Sequence, residues 1–415
     1  MSPPGFEVRH IGVIGAGTMG AGIAASCVAG GFDVTLIDTQ LPALENGLQR
    51  VRVMLDAAVK KGRLAAEVGA AAKTRIEPAS DIAAARAADL VIEAVFENLQ
   101  LKQDVFRKLD ASCRAGALLA TNTSTLDVDA IANVTQRPEN VIGMHFFSPA
   151  HVMRLVEIVR GSKTSAASVA TALAVTQRVG KIGVVVGNCF GFVGNRMLYA
   201  YGRENQFMLL EGVSAQRIDG VLEGFGMAMG PNAVGDLAGL DVGYRVRRER
   251  KDLPDDPRYY RVADLLVESG RLGQKAGRGM YRYSDDARTR TPDAEVEALI
   301  RREAARLNVA PRDISDAQII ERCIYALINE GAAILEEGIA TSPQDIDLIW
   351  CNGYGFPRAR GGPMSYADSI GLRTVLDGVR QFAAAEGARF WTAAALLREL
   401  AAHDGSFAAW QALRA

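Results

Sequence analysis

The apolar positions change their period close to the middle of the chain. Up to about residue 185 they come as short runs separated by stretches with helical spacing. Ile11-Gly12-Val13-Ile14 and Val34-Thr35-Leu36-Ile37 read as strands buried on both faces. Helices are predicted to 29 after the first run, over 42–62 and over 101–113. Residues 89–95 are expected as a third parallel strand and 117–121 as a fourth. Val141-Ile142-Gly143, Leu155-Val156-Glu157-Ile158-Val159 and Gly183-Val184-Val185-Val186 are β-like as well, and the last closes the sheet. Alternation of this kind predicts an α/β domain with a parallel sheet. From Gly191 onward the spacing is helical throughout.

The first strand runs directly into Gly15-Ala16-Gly17-Thr18-Met19-Gly20, a G-x-G-x-x-G sequence. Gly15 permits the tight turn, Gly17 lets a pyrophosphate approach the backbone, and Gly20 lets the helix pack closely on the strand. The helix opened by Thr18 and Met19 points its first amides at the phosphates. Asp38 ends the second strand 23 residues after Gly15, near the roughly 20 residues expected of a ribose-binding acid. A carboxylate there repels a 2′-phosphate, so the cofactor expected is NAD. The competing reading of the motif alone is an ordinary tight turn. The ordered set of strand, glycines, helix, strand and acid argues for a Rossmann-type domain.

The chain has 415 residues, 49% hydrophobic, with a formal net charge of −1. That length exceeds one core, so two or three domains are expected. The charge balance gives no field for nucleic acid, and no apolar run approaches the roughly 20 residues of a membrane span. Residues 1–9 lack the apolar centre of a signal peptide. Five cysteines are scattered, never as C-x-x-C. They predict reduced thiols in a cytoplasmic compartment and no metal site.

The candidate chemistry lies at strand ends. There are four histidines. His145 follows a strand and precedes Phe146-Phe147-Ser148-Pro149, and Glu157 lies twelve residues later on the next β-like run. Neighbouring strands would bring the two within hydrogen-bond reach, making a general base for neutral pH. The plainer alternative is a core histidine and a surface glutamate. Glu97 and Ser124 also sit just beyond strands, where open α/β sheets bind ligands. His151 is a rival base without a carboxylate at strand-pair spacing.

The helical half carries a repeat. Asn195-Arg196-Met197-Leu198 leads to Glu211-Gly212-Val213 by the same interval that joins Glu321-Arg322-Cys323-Ile324 to Glu337-Gly338-Ile339. Ile218-Asp219 then matches Ile346-Asp347. Gly224-Phe225-Gly226 and Gly230-Pro231 match Gly353-Tyr354-Gly355 and Gly362-Pro363. With Asp236-Leu237-Ala238-Gly239-Leu240 matching Ala367-Asp368-Ser369-Ile370-Gly371-Leu372 in composition, six features in one order predict two helical modules of similar design. The expected division is 1–186 for the nucleotide domain, 187–284 for the first module and 295–415 for the second. The polar stretch 284–292 reads as the linker between modules.

These motifs, with Val91-Ile92-Glu93-Ala94-Val95-Phe96-Glu97-Asn98-Leu99, Asn122-Thr123-Ser124-Thr125 and Gly191-Phe192-Val193-Gly194-Asn195-Arg196, resemble the 3-hydroxyacyl-CoA dehydrogenase family from about residue 9 to 410. Within it the chain looks most like the dehydrogenase half of the peroxisomal bifunctional (hydratase/dehydrogenase) β-oxidation enzymes. Their hydratase domain, expected before residue 1, is absent from this sequence. The resemblance implies two tandem all-α modules of the 6-phosphogluconate-dehydrogenase C-terminal type. Two departures stand out. Ser148 replaces an asparagine common in the family, as in the peroxisomal type. Asn232 stands where an aromatic is usual, which puts the acyl pocket's shape in doubt.

The resemblance implies oxidation of an L-3-hydroxyacyl-CoA by NAD. His145 would take the hydroxyl proton, and Glu157 would fix its ring. Ser124 and Asn195 would hydrogen-bond the substrate oxygen and the histidine. Glu97, Lys102 and Asn122 would line the nicotinamide-ribose side, with a solvated helix face as the rival reading of Lys102. Lys60, Lys61 and Arg63 suit the phosphates of CoA, with a solvated loop as their alternative. A separate enoyl-CoA hydratase or thiolase would be a functional partner. The second module, with Glu321 in place of Asn195, would be a degenerate structural copy packed on the first, so the protein is expected to be a monomer. Two other functions fit the scaffold: a dehydrogenase of a free hydroxy acid, and a non-catalytic NAD-binding scaffold subunit.

Overall fold

The computed structural model describes residues 7–284 and 289–414. The first six residues of the N-terminal stretch, and 285–288 of the expected linker, lie outside the described residues. The chain divides into two compact units, one running to Val193 with Gly338–Thr341 added, the other holding Gly194–Glu337 and the chain from Ser342 onward.

The first unit is built on an eight-stranded sheet. Its strands are β1 (His10–Ile14), β2 (Asp33–Ile37), β3 (Ile76–Ala79), β4 (Leu90–Glu93), β5 (Leu118–Thr121), β6 (Val141–Phe146), β7 (Leu155–Arg160) and β8 (Ile182–Gly187). Their order is β3-β2-β1-β4-β5-β6-β7-β8. The pairs from β3 to β6 are parallel, β6 and β7 are antiparallel, and β7 and β8 are parallel. The chain reverses direction across the sheet between β1 and β4, the switch point where such sheets open a crevice for ligand. The helices α1 (Thr18–Ala29), α2 (Leu41–Lys60), α3 (Ala66–Thr74), α4 (Leu99–Ser112), α5 (Val128–Ala132) and α6 (Ala166–Arg178) connect the strands. Two apolar clusters hold the layers together, one including α1 and α2, the other α4.

Residues 89–95, expected as the third strand, are the fourth, and 117–121 supply the fifth. The strand missing from the expectation is β3, Ile76-Glu77-Pro78-Ala79. It has few apolar residues and contains a proline because it is the sheet's edge, where one face of the ladder needs no partner. At the other edge Gly187 donates to the Ile339 carbonyl at 2.7 Å, and a bridge pairs Val186 with Ala340. The edge is thereby covered.

The second unit is helical. Its elements include α7 (Gly194–Leu210), α8 (Ala215–Phe225), α9 (Pro231–Ala238), α10 (Leu240–Glu249), α11 (Arg261–Glu268), α12 (Ala294–Arg306), α13 (Asp316–Glu336), α14 (Pro343–Gly353) and α15 (Pro363–Ile370). Short strands at Arg282–Tyr283 and Arg290–Thr291 pair antiparallel, so ordered structure enters the stretch expected as linker. Two aspartates do the same work at corresponding places. Asp219 accepts from the Asn232 and Ala233 amides at 2.9 and 3.0 Å, capping α9. Asp347 accepts from the Met364 and Ser365 amides at 2.8 and 3.1 Å, capping α15. Added Cβ atoms at Gly230 and Gly362 would fall 2.3 and 2.4 Å from these aspartates, which is why glycine precedes each proline. Asn232 itself is buried, bonded through its side chain to Asn205 at 3.0 Å and Asp219 at 2.9 Å.

Candidate active site

The glycine turn follows β1. Gly15 has φ +98°, and a Cβ there would sit 2.8 Å from the Ala94 carbonyl oxygen at the end of β4. A Cβ on Gly20 would fall 1.8 Å from the Gly15 oxygen. Gly17 differs: a Cβ there meets nothing within 4 Å, and no side chain caps α1 at this residue. Open space in front of a helix start that no side chain caps fits a pyrophosphate. Asp38 stands at the end of β2. Its Oδ2 accepts from Ala16 N and its Oδ1 from Gln40 N, each at 2.9 Å. The acid therefore secures the turn as well as presenting negative charge beside it.

Beyond β4 and β5 lies a hub of hydrogen bonds centred on Glu97. Its Oε1 accepts from Thr123 Oγ1 at 2.6 Å, Ser124 N at 2.8 Å and Ser124 Oγ at 3.0 Å. Burial alone would raise the Glu97 carboxyl, but Lys102 and these donors outweigh it and hold the group below the ordinary glutamate range. Lys102 Nζ lies 3.6 Å from Glu97 and 2.7 Å from Glu93, with Lys102 and Glu93 both fully buried. The solvated-face alternative for Lys102 is thereby overturned. An acid inside the apolar run of β4 needs a cation, and a helix starting at Leu99 delivers one nine residues later. Glu93 Oε2 also accepts from Thr121 Oγ1 at 2.7 Å. Glu93, Thr121 and Thr123 were not singled out in the sequence, although a glutamate in Val91-Ile92-Glu93 was the available signal.

His145 and Glu157 are directly opposed in the antiparallel β6/β7 pair. Nδ1 of His145 lies 2.7 Å from Glu157 Oε2, with the glutamate fully buried. Glycine at 143 allows this close pairing, since a Cβ there would fall 2.7 Å from Val159 Cβ. The Phe147 and Phe192 rings lie with centroids 4.5 and 5.8 Å from the imidazole. A ring whose Nδ1–H is given to a carboxylate has Nε2 as its acceptor. Asn122 ties the two clusters together. Its Oδ1 accepts from Phe146 N at 2.9 Å, extending the β5/β6 ladder to the residue beside His145.

Other expected residues stand apart. Lys60, Lys61 and Arg63 are exposed at the end of α2 and in the turn after it. His151 is largely exposed, with its pKa lowered first by partial desolvation of its ring and then by Lys181, Lys61 and Arg63. Such a group is no carboxylate-supported base. Asn195 begins α7 in the second unit, where Tyr354 OH lies 2.9 Å from its Oδ1. Tyr354 carried no role in the sequence reading.

A family model described as 3-hydroxyacyl-CoA dehydrogenase, NAD binding domain, matches residues 10–189. The corresponding C-terminal domain model matches residues 191–283 and 319–406. The peroxisomal bifunctional enzyme of Danio rerio is 46% identical over 385 residues, 89% of this chain and 53% of that protein. The protein of the same name from Homo sapiens is 44% identical, over 90% of this chain and 53% of its own length. The chain thus spans about half the length of the curated relatives it matches. The crystal structure of 3-hydroxybutyryl-CoA dehydrogenase from Escherichia coli K12 superposes with a TM-score of 0.81 at 29% identity, covering 96% of this chain and 99% of that one. The expected cytoplasmic location finds no support in the names of these two relatives, both of which are peroxisomal. Among the described residues no helix is long and apolar enough to cross a membrane.

Proposed function

The chain belongs to the 3-hydroxyacyl-CoA dehydrogenase family, an oxidoreductase family with NAD as cofactor, and on that premise we propose that it oxidises L-3-hydroxyacyl-CoA thioesters to 3-ketoacyl-CoA. The observation that carries the proposal is the buried His145–Glu157 pair at 2.7 Å. Gly15, Gly17 and Gly20 would hold the pyrophosphate of NAD and Asp38 its ribose, and the cofactor when bound would supply the hydride acceptor for C3. His145 takes the 3-hydroxyl proton on Nε2 as the hydride leaves, so alcohol becomes ketone with both hydrogens accounted for. Glu157 keeps the ring in the tautomer that leaves Nε2 basic, and stabilises the imidazolium that forms. Ser124, whose hydroxyl donates to Glu97 in this structure and would turn from it to donate to the substrate oxygen, and Asn195 are assigned to hydrogen-bond that oxygen. Glu97 and Asn122 fix the nicotinamide-ribose end, and Lys102 acts there by holding Glu97.

Lys60, Lys61 and Arg63 are assigned to the CoA phosphates on their charge and exposure. Lys61→Glu should then raise KM for the thioester while leaving NAD affinity unchanged; an unchanged KM would withdraw Lys61 from that role. Residues 187–284 and 295–415 are read as two copies of one helical design, supported by the shared Asp219 and Asp347 caps. The location that suits this function is the compartment of β-oxidation, where a hydratase reaction supplies the substrate and a thiolase reaction consumes the product.

The test is NADH formation with 3-hydroxybutyryl-CoA and with free 3-hydroxybutyrate. Turnover of the thioester alone is expected. Equal turnover of the free acid would replace the proposal with a hydroxy-acid dehydrogenase, and no turnover of any hydroxy substrate with a binding scaffold.

A further inference from the structure

We propose that Tyr354, from the second helical copy, is a positioning residue that sets the orientation of the Asn195 amide; the inference rests on the reading that Asn195 hydrogen-bonds the substrate. The Tyr354 hydroxyl lies 2.9 Å from Asn195 Oδ1. A phenol donating to that oxygen assigns it as the acceptor end and makes Nδ2 the donor end. A donor to the substrate oxygen would stabilise the negative charge that this oxygen carries as its proton leaves.

Tyr354 is held on several sides. Its ring stacks on Trp350, centroids 4.7 Å apart and tilted by 24°. Trp350 is buried and packs edge-on against Tyr201 of α7 at 6.0 Å. The backbone is pinned by Phe356 N to the Trp350 carbonyl at 3.0 Å and by Ala228 N to the Gly355 carbonyl at 2.9 Å. A Cβ on Gly194 would fall 2.4 Å from Tyr354 Cε2, so glycine beside Asn195 is what admits the ring. The next residue is gripped from the same copy. Arg196 Nε lies 2.6 Å from Glu330, and its Nη1 2.5 Å from Glu337.

The repeat supplies an internal control. Glu321 occupies the place of Asn195 in the second copy, and Phe225 occupies the place of Tyr354 in the first. The hydroxyl is present where its amide partner is present, and both are missing at the related pair. A tyrosine kept only for packing would have no reason to follow the asparagine.

The experiment uses the full chain with Tyr354→Phe, Asn195→Ala, the double variant and Asn195→Asp. Each is measured for kcat, KM, NADH affinity and thermal midpoint. Tyr354→Phe retains the ring and should keep its midpoint and NADH affinity while kcat falls about tenfold, the worth of one hydrogen bond. In the Asn195→Ala background the same change should have no further effect on kcat. Asn195→Asp keeps an acceptor for Tyr354 but loses the donor, and should be as slow as Asn195→Ala. The proposal is overturned if Tyr354→Phe retains full kcat, if the two losses multiply, or if Asn195→Asp turns over normally. Full activity of Asn195→Ala would remove Asn195 itself from the reaction, a result distinct from failure of Tyr354 alone.

Discussion

Asp38 holds a negative charge at the end of β2, with both oxygens fixed by the Ala16 and Gln40 amides. The 2′-phosphate of NADP would meet that charge, and like charges placed together in an interface cost several kcal/mol. The segment after it, Thr39-Gln40-Leu41, offers no arginine. We expect kcat/KM with NADP to be at least about 100-fold below that with NAD, since each 1.4 kcal/mol is a factor of ten. Asp38→Ser should narrow the ratio; equal efficiency in the unaltered protein would show the acid misassigned. At this scale the sequence was readable wherever chain spacing fixed the partner. The antiparallel turn between His145 and Glu157 is one such case, and the acid after β2 is another. Lys102 was harder, because an amphipathic helix does not declare which of its lysines faces a buried acid. Tyr354 was out of reach, since its partner lies 159 residues away in sequence.

Within elements, the glycine turn separates two roles that a motif treats alike. Gly20 is demanded by the fold, because a Cβ would overlap the Gly15 carbonyl. Gly17 faces open space. Gly20→Ala should therefore destabilise the first unit, by about 1–3 kcal/mol or more as overpacking does, and lower the unfolding midpoint without ligand. Gly17→Ala should unfold at the normal midpoint and lose NADH affinity. A Gly17→Ala protein with unchanged affinity would place the pyrophosphate elsewhere. The same distinction explains which elements could be foreseen. Strands buried on both faces are continuous apolar runs and stood out; β3, an edge strand with a proline, offers no such run. The paired roles of Asp219 and Asp347 show why the repeat was visible: each is a buried acid tied to a Gly-Pro helix start, a combination that tolerates few substitutions.

For the molecule as a whole, the three segments read from the sequence become two compact units. The reason is that α13 of the second copy packs along α7 of the first. Arg322 of α13 is buried and pairs with Glu204, Nε to Oε2 at 3.0 Å, and with Glu211. Removing the chain after Thr291 would take Arg322 from both glutamates, leaving Glu204 with Arg203 alone and Glu211 without Arg322 or Arg312, and would bare the apolar side of α7, including Met197, Tyr201 and Met208. Breaking a buried pair in this way costs about 3–5 kcal/mol, and an exposed apolar patch promotes association. Light scattering should therefore report a monomer for the intact chain and higher-order species for one ending at Thr291. A stable dimer of the intact chain formed through residues 187–284 would refute the view that the second copy covers that surface within one chain.

The central claim is that His145, supported by Glu157, is the base. The measurement that tests it most directly is kcat for 3-hydroxybutyryl-CoA oxidation in His145→Gln and Glu157→Gln, beside NADH affinity by fluorescence. General-base catalysis contributes about 10²- to 10⁴-fold, and neither residue belongs to the glycine turn. Both variants are expected to lose kcat within that range while binding NADH normally. Turnover at the unaltered rate in either one would contradict the account.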